Sequence, residues 1–149
     1  MVLQTTGVTM SRTLSLVTLG VTDLARSRDF YARTGWKVAS CSNEHIVFLH
    51  GGGATLALFP RDALLEDCGL TGNAPTPGGV TLACNVASRD EVDARLAQVV
   101  EAGGRLIAPA RDKPWGYGGY FADPDGHPWE VAHVPSLTLD VEGRIILDA

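Results

Sequence analysis

The sequence predicts an α+β fold of two tandem β-α-β-β-β modules, whose sheets form a cupped, partly open β-barrel with the helices outside. Three observations predict it. Strand-like and helix-like segments follow one order, and that order returns about 65 residues later. Each half offers one helix to one sheet, so the other sheet face must curve around a cavity or a partner. A tight Asp-Pro-Asp-Gly turn at 123–126 precedes the last strand of the second half.

The first module is predicted over residues 13–60. A strand at 16–21 is followed by Asp23, a residue type favoured as a helix N-cap, and a helix over 24–34 then ends at a glycine. Three short apolar segments after the helix are predicted as strands: 36–40, 46–49 and 55–59. The glycines at 51–53 join the last two strands. No Lys-Ser/Thr follows them, so they are interpreted as a hairpin turn rather than a phosphate loop.

The second module is predicted over residues 78–134. Its first strand contains Val80-Thr81-Leu82, which repeats the pattern of Val17-Thr18-Leu19. Ser88 and Glu91 form a capping box at the start of a helix, which continues with an apolar stripe at helical spacing. Three strands are predicted after this helix: 105–108, 119–122 and 128–133.

The remaining segments surround this single domain of residues 13–134. Residues 1–12 are predicted as an N-terminal extension, and residues 61–77 as a linker between the modules. The segment Arg61 to Leu70 within it is expected to form a short helix. Residues 135–149 are a C-terminal tail, in which 137–147 are expected to form a small hairpin that covers an edge strand.

Composition excludes several classes of partner. The 149 residues are 45% hydrophobic and 19% charged, which is typical of one globular domain. Twelve basic and seventeen acidic residues give a net charge of −5, without a Lys/Arg cluster, so no nucleic-acid partner is expected. No apolar run approaches the length of a membrane span, so no membrane partner is expected either. Three cysteines without paired spacing indicate reduced thiols and a cytoplasmic protein.

A resemblance to a known family rests on the run Asp123-Pro124-Asp125-Gly126-His127-Pro128-Trp129-Glu130 together with the order of both modules. It resembles the closing hairpin of the vicinal oxygen chelate superfamily, which includes glyoxalases, bleomycin-resistance proteins and extradiol dioxygenases. Metalloenzymes of that superfamily carry one metal ligand on the first and one on the last strand of each module. The resemblance places these positions at Leu16, Ala57, Thr81 and Glu130.

This set of residues predicts no metal and no cofactor. Leucine and alanine cannot ligate a metal and threonine is a poor ligand, whereas a divalent ion needs three or four converging N, O or S ligands. The histidines do not rebuild the set. His45 and His50 would face opposite ways on one strand, and His133 lies on the face opposite Glu130. The histidines are therefore interpreted as surface or structural residues.

Strand alternation and an aromatic segment identify the candidate ligand-binding residues. The residues expected on the inner sheet faces are Leu16, Thr18, Phe48, Ala57, Phe59, Thr81, Ala83, Asn85 and Glu130. The Gly-rich segment before the signature turn adds Trp115, Tyr117 and Tyr120, whose facing the glycines leave open. Together the rings predict an aromatic-walled pocket suited to a drug-sized organic molecule.

Two functions remain open at this point. The first is a metal-free small-molecule-binding protein of the glyoxalase/bleomycin-resistance type, which takes an aromatic or cationic compound, as in the sequestration of an antibiotic. The alternative is a glyoxalase-like enzyme of the isomerase, lyase or dioxygenase class. It would be metal-free, with Glu130 as the catalytic base and Tyr117 or Tyr120 as the acid, or else dependent on a divalent metal. Sheet edges and the resemblance both favour a homodimer.

Overall fold

The structure is a computed structural model that describes Leu14, residues 16–70 and residues 80–147. The expected N-terminal extension and the stretch Thr71–Gly79 lie outside the described residues. The first half contains β1 (Val17–Val21), α1 (Leu24–Arg33), β2 (Lys37–Val38), β3 (Val47–His50), β4 (Thr55–Pro60) and α2 (Arg61–Asp67). The second half contains β5 (Leu82–Asn85), α3 (Arg89–Glu101), β6 (Arg105–Lys113), β7 (Gly116–Ala122), β8 (Pro128–His133), β9 (Thr138–Leu139) and β10 (Ile145–Ile146).

The two halves build sheets of the same topology, which confirms the predicted fold class. The first sheet has the strand order β1-β4-β3-β2 and the second has β5-β8-β7-β6. In each sheet the first and last strands of the module pair in parallel, and the other pairs are antiparallel. Within the described residues the two sheets are not joined into a closed barrel, so β1 and β5 are edge strands.

The helices begin where the sequence predicts. The Asp23 carboxylate accepts a hydrogen bond from the Arg26 amide at 2.9 Å at the start of α1. In α3 the Ser88 hydroxyl accepts from the Glu91 amide at 3.2 Å, and the Glu91 carboxylate accepts from the Ala87 amide at 2.7 Å. The two bonds form a reciprocal capping box. It differs from the usual motif in one respect: the Glu91 carboxylate accepts from the amide of Ala87, the residue before the N-cap, and not from the amide of Ser88.

The hairpin of β6 and β7 differs from the prediction. The sequence predicts strands at 105–108 and 119–122 with a Gly-rich aromatic segment between them, but both strands continue until Lys113 pairs with Gly116. Register shifts between Leu106 and Arg111 absorb the irregular residues as bulges. A Cβ at Gly116 would collide with the carbonyl oxygen of His133, so glycine at this position permits the close approach of β7 to β8.

One hydrophobic core is shared by both halves. The helix-packed faces supply most of the large buried strand residues, among them Leu19, Val21, Leu56, Leu58, Trp129 and Val131. Helix α1 lies at the centre, because its Phe30 ring packs 6.4 Å from Phe121 and its Tyr31 ring 6.1 Å from Trp129. Helices α1 and α3 and the sheet sides that face them therefore form most of the interior, while the opposite sheet faces are only partly covered, by α2 at one end of the first sheet.

The signature turn connects the halves. The Asp123 carboxylate is buried, accepts a hydrogen bond from the Tyr31 hydroxyl at 2.7 Å, and lies 2.6 Å from His127 Nδ1. Asp125 Oδ1 accepts from the Thr22 amide and hydroxyl, both at 2.8 Å, while Oδ2 accepts from the Ser27 hydroxyl at 2.9 Å. Both carboxylates of the turn are thus occupied in joining the second half to α1.

The tail forms the predicted hairpin, and its turn lies next to the edge strand β5, where a Cβ on Gly143 would be 3.8 Å from the carbonyl oxygen of Asn85. Strands β9 and β10 pair with each other, and in the described part of the chain neither pairs with an edge strand. The hairpin also packs on the glycine turn between β3 and β4. A Cβ on Gly52 would lie 2.6 Å from the carbonyl oxygen of Glu142, and one on Gly53 2.9 Å from Cγ of Arg144. No helix among the described residues is long and apolar enough to cross a membrane.

Candidate functional site

Glu130 lies on the face of the second sheet that is turned away from the helices, called here the inner face. Its strand neighbours Trp129 and Val131 are buried in the core on the other side. Its cross-strand partners are Tyr120 on β7 and Ala83 on β5. Ala83 is exposed, and the Glu130 side chain itself is partly exposed to solvent.

A lysine that the sequence analysis did not identify lies next to Glu130. The Lys113 Nζ atom is 3.8 Å from Glu130 Oε2, 5.0 Å from the ring centre of Trp115 and 4.8 Å from that of Tyr120. The lysine side chain is only 16% exposed and the glutamate 19%. Lys113, Trp115, Tyr120 and Glu130 are called the inner-face cluster below. In it an ammonium group contacts one carboxylate and two aromatic faces.

The tip of the β6–β7 hairpin positions this cluster. The turn at Pro114 and Trp115 folds the indole back onto the sheet, where a Cβ on Gly118 would lie 3.3 Å from the Trp115 ring. Glycine at 118 leaves room for the ring above the strand. Trp115 remains 40% exposed, so part of its surface is open to a ligand.

Tyr120 and Glu130 interact electrostatically. The polar interaction with the Glu130 carboxylate is the main cause that raises the pKa of the Tyr120 hydroxyl, and burial adds to it. The phenol therefore stays protonated across the ordinary pH range and is available as a hydrogen-bond donor. A carboxylate beside a protonated phenol is a pair that can anchor a ligand or exchange a proton with it.

Tyr117 is removed from the candidate site. It lies three residues from Tyr120 on the same strand, so its side chain lies on the opposite face. Its hydroxyl donates to Asp93 of α3 at 2.7 Å, and the Arg89 guanidinium stacks 4.0 Å from its ring centre. Of the two tyrosines proposed as the acid partner of Glu130, only Tyr120 therefore lies on the same face as Glu130.

The inner-face residues of the first half form a separate row. Thr18, Ala57 and Phe48 are aligned across β1, β4 and β3, and Phe59 pairs with Gly20 one step further along. Helix α2 covers this end, since a Cβ on Gly20 would contact Arg61 and Leu64 at 3.4 Å. The aromatic contacts found among the described residues do not join Phe48 or Phe59 to the inner-face cluster.

The other inner-face candidates lie at the β1 and β5 edges. Leu16 and Thr81 are exposed residues that directly precede β1 and β5, and Asn85 is the Cα partner of Ala132 at the end of β5. Leu16 and Thr81 thus border the two edge strands, and Asn85 is the last residue of β5.

The residues at the superfamily's metal positions do not fit a divalent ion. Ala57 is 1% exposed and offers a methyl group, Leu16 offers only carbon atoms, and Glu130 is paired with Lys113. Across residues 16–70 and 80–147, no three His, Cys, Asp or Glu side chains are close enough together to hold a metal ion. The donor set at these four positions is therefore the Glu130 carboxylate and the weakly ligating Thr81 hydroxyl.

A cleft of about 500 Å³ lies on the other side of the second sheet, between α3 and β6. Its walls are apolar and include Leu96, Val100 and Leu106. The one charged side chain in its lining, Asp93, already accepts the Tyr117 hydrogen bond. The cleft lacks groups that would orient a polar ligand, so the inner-face cluster is the stronger candidate.

Comparison with known proteins identifies the family of this fold. The family model of the Glyoxalase/Bleomycin resistance protein/Dioxygenase superfamily matches residues 13–131. The chain belongs to this superfamily. Among solved structures, a glyoxalase-related enzyme from Fulvimarina pelagi is 37% identical, with a TM-score of 0.81 over 93% of this chain and 100% of that chain.

Two further superfamily structures are more distant. A glyoxalase/bleomycin resistance protein/dioxygenase from Nocardioides is 29% identical, with a TM-score of 0.67 over 87% of this chain and 88% of that chain. The lactoylglutathione lyase from Agrobacterium tumefaciens is 18% identical, with a TM-score of 0.59 over 83% of this chain and 94% of that chain, which shows a shared fold. The comparison with curated proteins found no match.

Proposed function

We propose that this superfamily member is a metal-free protein that binds a planar aromatic organic compound on the inner face of its second sheet. The observation that carries the proposal is the inner-face cluster, where the Trp115 and Tyr120 rings flank the Lys113–Glu130 ion pair. Partly exposed flat rings bind planar molecules, and a few fixed polar groups orient them. The glyoxalase/bleomycin resistance family name adds antibiotics to the compounds to be tested.

The proposal that no metal takes part rests on the donor set. Leu16, Ala57 and Thr81 supply at most one weak oxygen ligand at the superfamily's positions, and Lys113 places a positive charge beside the remaining carboxylate. A divalent cation at Glu130 would be repelled by that ammonium group.

A second candidate function is a metal-free glyoxalase-like enzyme of the isomerase or lyase class. The Tyr120–Glu130 pair favours it, because Glu130 can accept a proton from a bound substrate while Tyr120 donates a hydrogen bond to it; the raised pKa of Tyr120 opposes transfer of the phenol's own proton. The enzyme description of the 37% identical protein points the same way. The two functions share one site and differ in whether the bound compound is altered.

Binding and turnover are tested with one panel of planar aromatic compounds, bleomycin among them. Isothermal titration measures affinity and mass spectrometry detects any product. We expect Trp115→Ala to weaken binding about tenfold, because it removes the exposed aromatic wall. Tyr117→Phe serves as the control, since that residue lies on the opposite face of the same hairpin.

Three outcomes decide between the functions. Equal affinity in wild type and Trp115→Ala, or no binding of any compound, contradicts the proposed site. Conversion of a compound that stops in Glu130→Gln, while that variant still binds and melts normally, assigns the enzyme function. Binding without conversion assigns the binding function.

The assembly and location are also proposals. We propose a homodimer, because β1 and β5 are edge strands with exposed apolar residues beside them. A cytoplasmic location is proposed because Cys41, Cys68 and Cys84 are free thiols. Fractionation of cells that express the protein tests the location, and finding it in an oxidising compartment would contradict it.

A further inference from the structure

We propose that the compound bound at the inner-face cluster is an aromatic acid, with its carboxylate on Lys113, rather than an aromatic cation. This inference rests on the proposed function, since it concerns the charge of the compound bound at the same site. From the sequence, the inward carboxylate of Glu130 among aromatic rings suggests a cationic ligand; the inference replaces that expectation with an anionic one.

The Lys113 ammonium already occupies the position in which a ligand cation would bind. A carboxylate with two aromatic faces is an arrangement that recognises ammonium groups. Here the chain's own ammonium occupies it, with the Lys113 Nζ atom about equally far from both ring centres. Lysine side chains are rarely this buried unless they are paired. A cationic ligand would have to expel Lys113 from the cluster and would gain only the contacts that the lysine loses.

The ammonium retains hydrogen-bonding capacity for an acidic ligand. Its distance to Glu130 Oε2 is 3.8 Å, beyond the range of about 2.7–3.2 Å for a direct hydrogen bond. A lysine has three N–H donors, and an ion pair at this distance leaves them free to turn toward a ligand oxygen. A ligand carboxylate could therefore approach Lys113 while Glu130 continues to hold the ammonium in place.

The attraction for an acid must be local. The whole chain has a net charge of −5, which does not attract anions over long distances. A charge-assisted hydrogen bond in a partly desolvated site is worth about tenfold or more in affinity. Selectivity for an acid should accordingly depend on Lys113 and persist at moderate ionic strength, unlike a diffuse surface effect.

Three probes that share one ring system test the charge preference. They are naphthalene carboxylate, naphthylmethylammonium and the neutral naphthylmethanol, titrated calorimetrically near pH 7. In the wild-type protein we expect the carboxylate to bind at least about tenfold more tightly than the ammonium compound, with the alcohol between them.

The two lysines of the chain provide a matched pair of variants. Lys113→Met should reverse the order of affinity, because the carboxylate of Glu130 and the two rings would then be open to a cation. Lys37→Met should leave the order unchanged, since Lys37 is exposed on β2 of the first sheet. Lys113→Arg, which keeps the positive charge, should keep the preference for the acid.

The outcomes separate this inference from the proposed function. If the wild-type protein binds none of the three probes or the aromatic panel, the proposed function fails. If it binds the ammonium compound as tightly as the carboxylate, or more tightly, the proposed function stands and the inference is wrong. The wild-type comparison decides the question even if Lys113→Met does not fold. If it does fold, an unchanged preference for the carboxylate overturns the role of Lys113.

Discussion

Asp123 is the residue on which the signature turn depends. Its buried carboxylate accepts hydrogen bonds from the Tyr31 hydroxyl and from the amides of Asp125 and His127. The same carboxylate contacts the His127 ring. Burial, followed by the nearby Asp123 charge, raises the pKa of Tyr31, so the phenol remains a donor. The family signature at Asp123 and Asp125 thus serves the fold, while Glu130 serves the candidate site.

We expect stability to fall as His127 loses its proton. The interaction of Nδ1 with Asp123 raises the pKa of His127, against an opposing effect of burial. A raised folded-state pKa means that the stabilisation is complete below the unfolded value of about 6.5, and is lost as pH rises through the folded-state pKa. Urea unfolding between about pH 5 and 9 should show this loss in wild type and not in His127→Gln. An identical pH profile in both would contradict it.

The control for this measurement is His50→Gln, because His50 is exposed at the end of β3 and far from the turn in sequence. Its pH profile should follow that of the wild type. If His50→Gln also abolished the fall in stability, the effect could not be assigned to the Asp123–His127 pair.

Individual residues were predicted unevenly from the sequence. Glu130 was identified because a conspicuous turn fixes the register of its strand. Lys113 was missed because the hairpin was thought to stop before it, although it is one of only two lysines. Tyr117 and Tyr120 could not be assigned to faces from the sequence, because the glycines around them interrupt the alternating pattern of a strand. Their separation to opposite faces follows only once β7 is known to be continuous.

At the scale of elements, the hairpin of β6 and β7 determines where the inner-face cluster lies. Gly119 is buried at the bulged part of this hairpin, where a Cβ would lie 2.8 Å from the Ala108 carbonyl oxygen and 2.9 Å from Leu96 Cδ1. Backbone atoms cannot move aside as a flexible side chain can. The hairpin therefore packs against α3 only with glycine at this position.

Gly119→Ala is expected to destabilise the protein by about 1–3 kcal/mol, measured by urea unfolding, because the added methyl overpacks the sheet. Gly20→Ala is the matched control. Its Cβ would make ordinary contacts at 3.4 Å, so a change within about 1 kcal/mol is expected. Equal effects of the two substitutions would show that overpacking at Gly119 does not control the result.

The elements whose ends are marked by a turn or a helix-capping motif in the sequence were predicted best. Strand β8 has the predicted bounds, and α3 begins at the predicted cap. Strands β6 and β7 were predicted too short, because proline, glycine and charged residues ordinarily interrupt strands. Bulges and a close approach of backbones allow these residues inside a sheet, and neither feature has a local signal in a single sequence.

At the scale of the whole molecule, β1 and β5 are edge strands and the exposed apolar residues Leu14 and Val80 precede them. We expect light scattering after size exclusion to give the mass of two chains. Val80→Lys should shift the equilibrium toward one chain, because a charge beside an edge strand opposes association. Val141→Lys on the tail should leave the mass unchanged. A monomer mass for the wild-type protein at micromolar concentration would contradict the dimer.

The repeat and the cupped sheets could be predicted from the sequence, because periodicity and turn chemistry repeat in both halves. The way the halves combine could not. The shared core depends on α1 packing against β7 and β8, and those contacts join residues that are distant in the sequence. The same limitation applies to the site, since Phe48 and Phe59 proved to lie in a row separate from Trp115 and Tyr120.

The contact between Tyr31 and Asp123 also bears on how the protein is made. These residues are 92 positions apart, and a ribosome adding about 5–20 residues per second needs roughly 5–20 s to span them. During that interval α1 has no partner for the Tyr31 hydroxyl or for the ring faces that later pack on Phe121 and Trp129. The nascent first half therefore exposes an aromatic surface until the last quarter of the chain is synthesised. Premature termination upstream of the signature turn would leave a fragment with that surface uncovered.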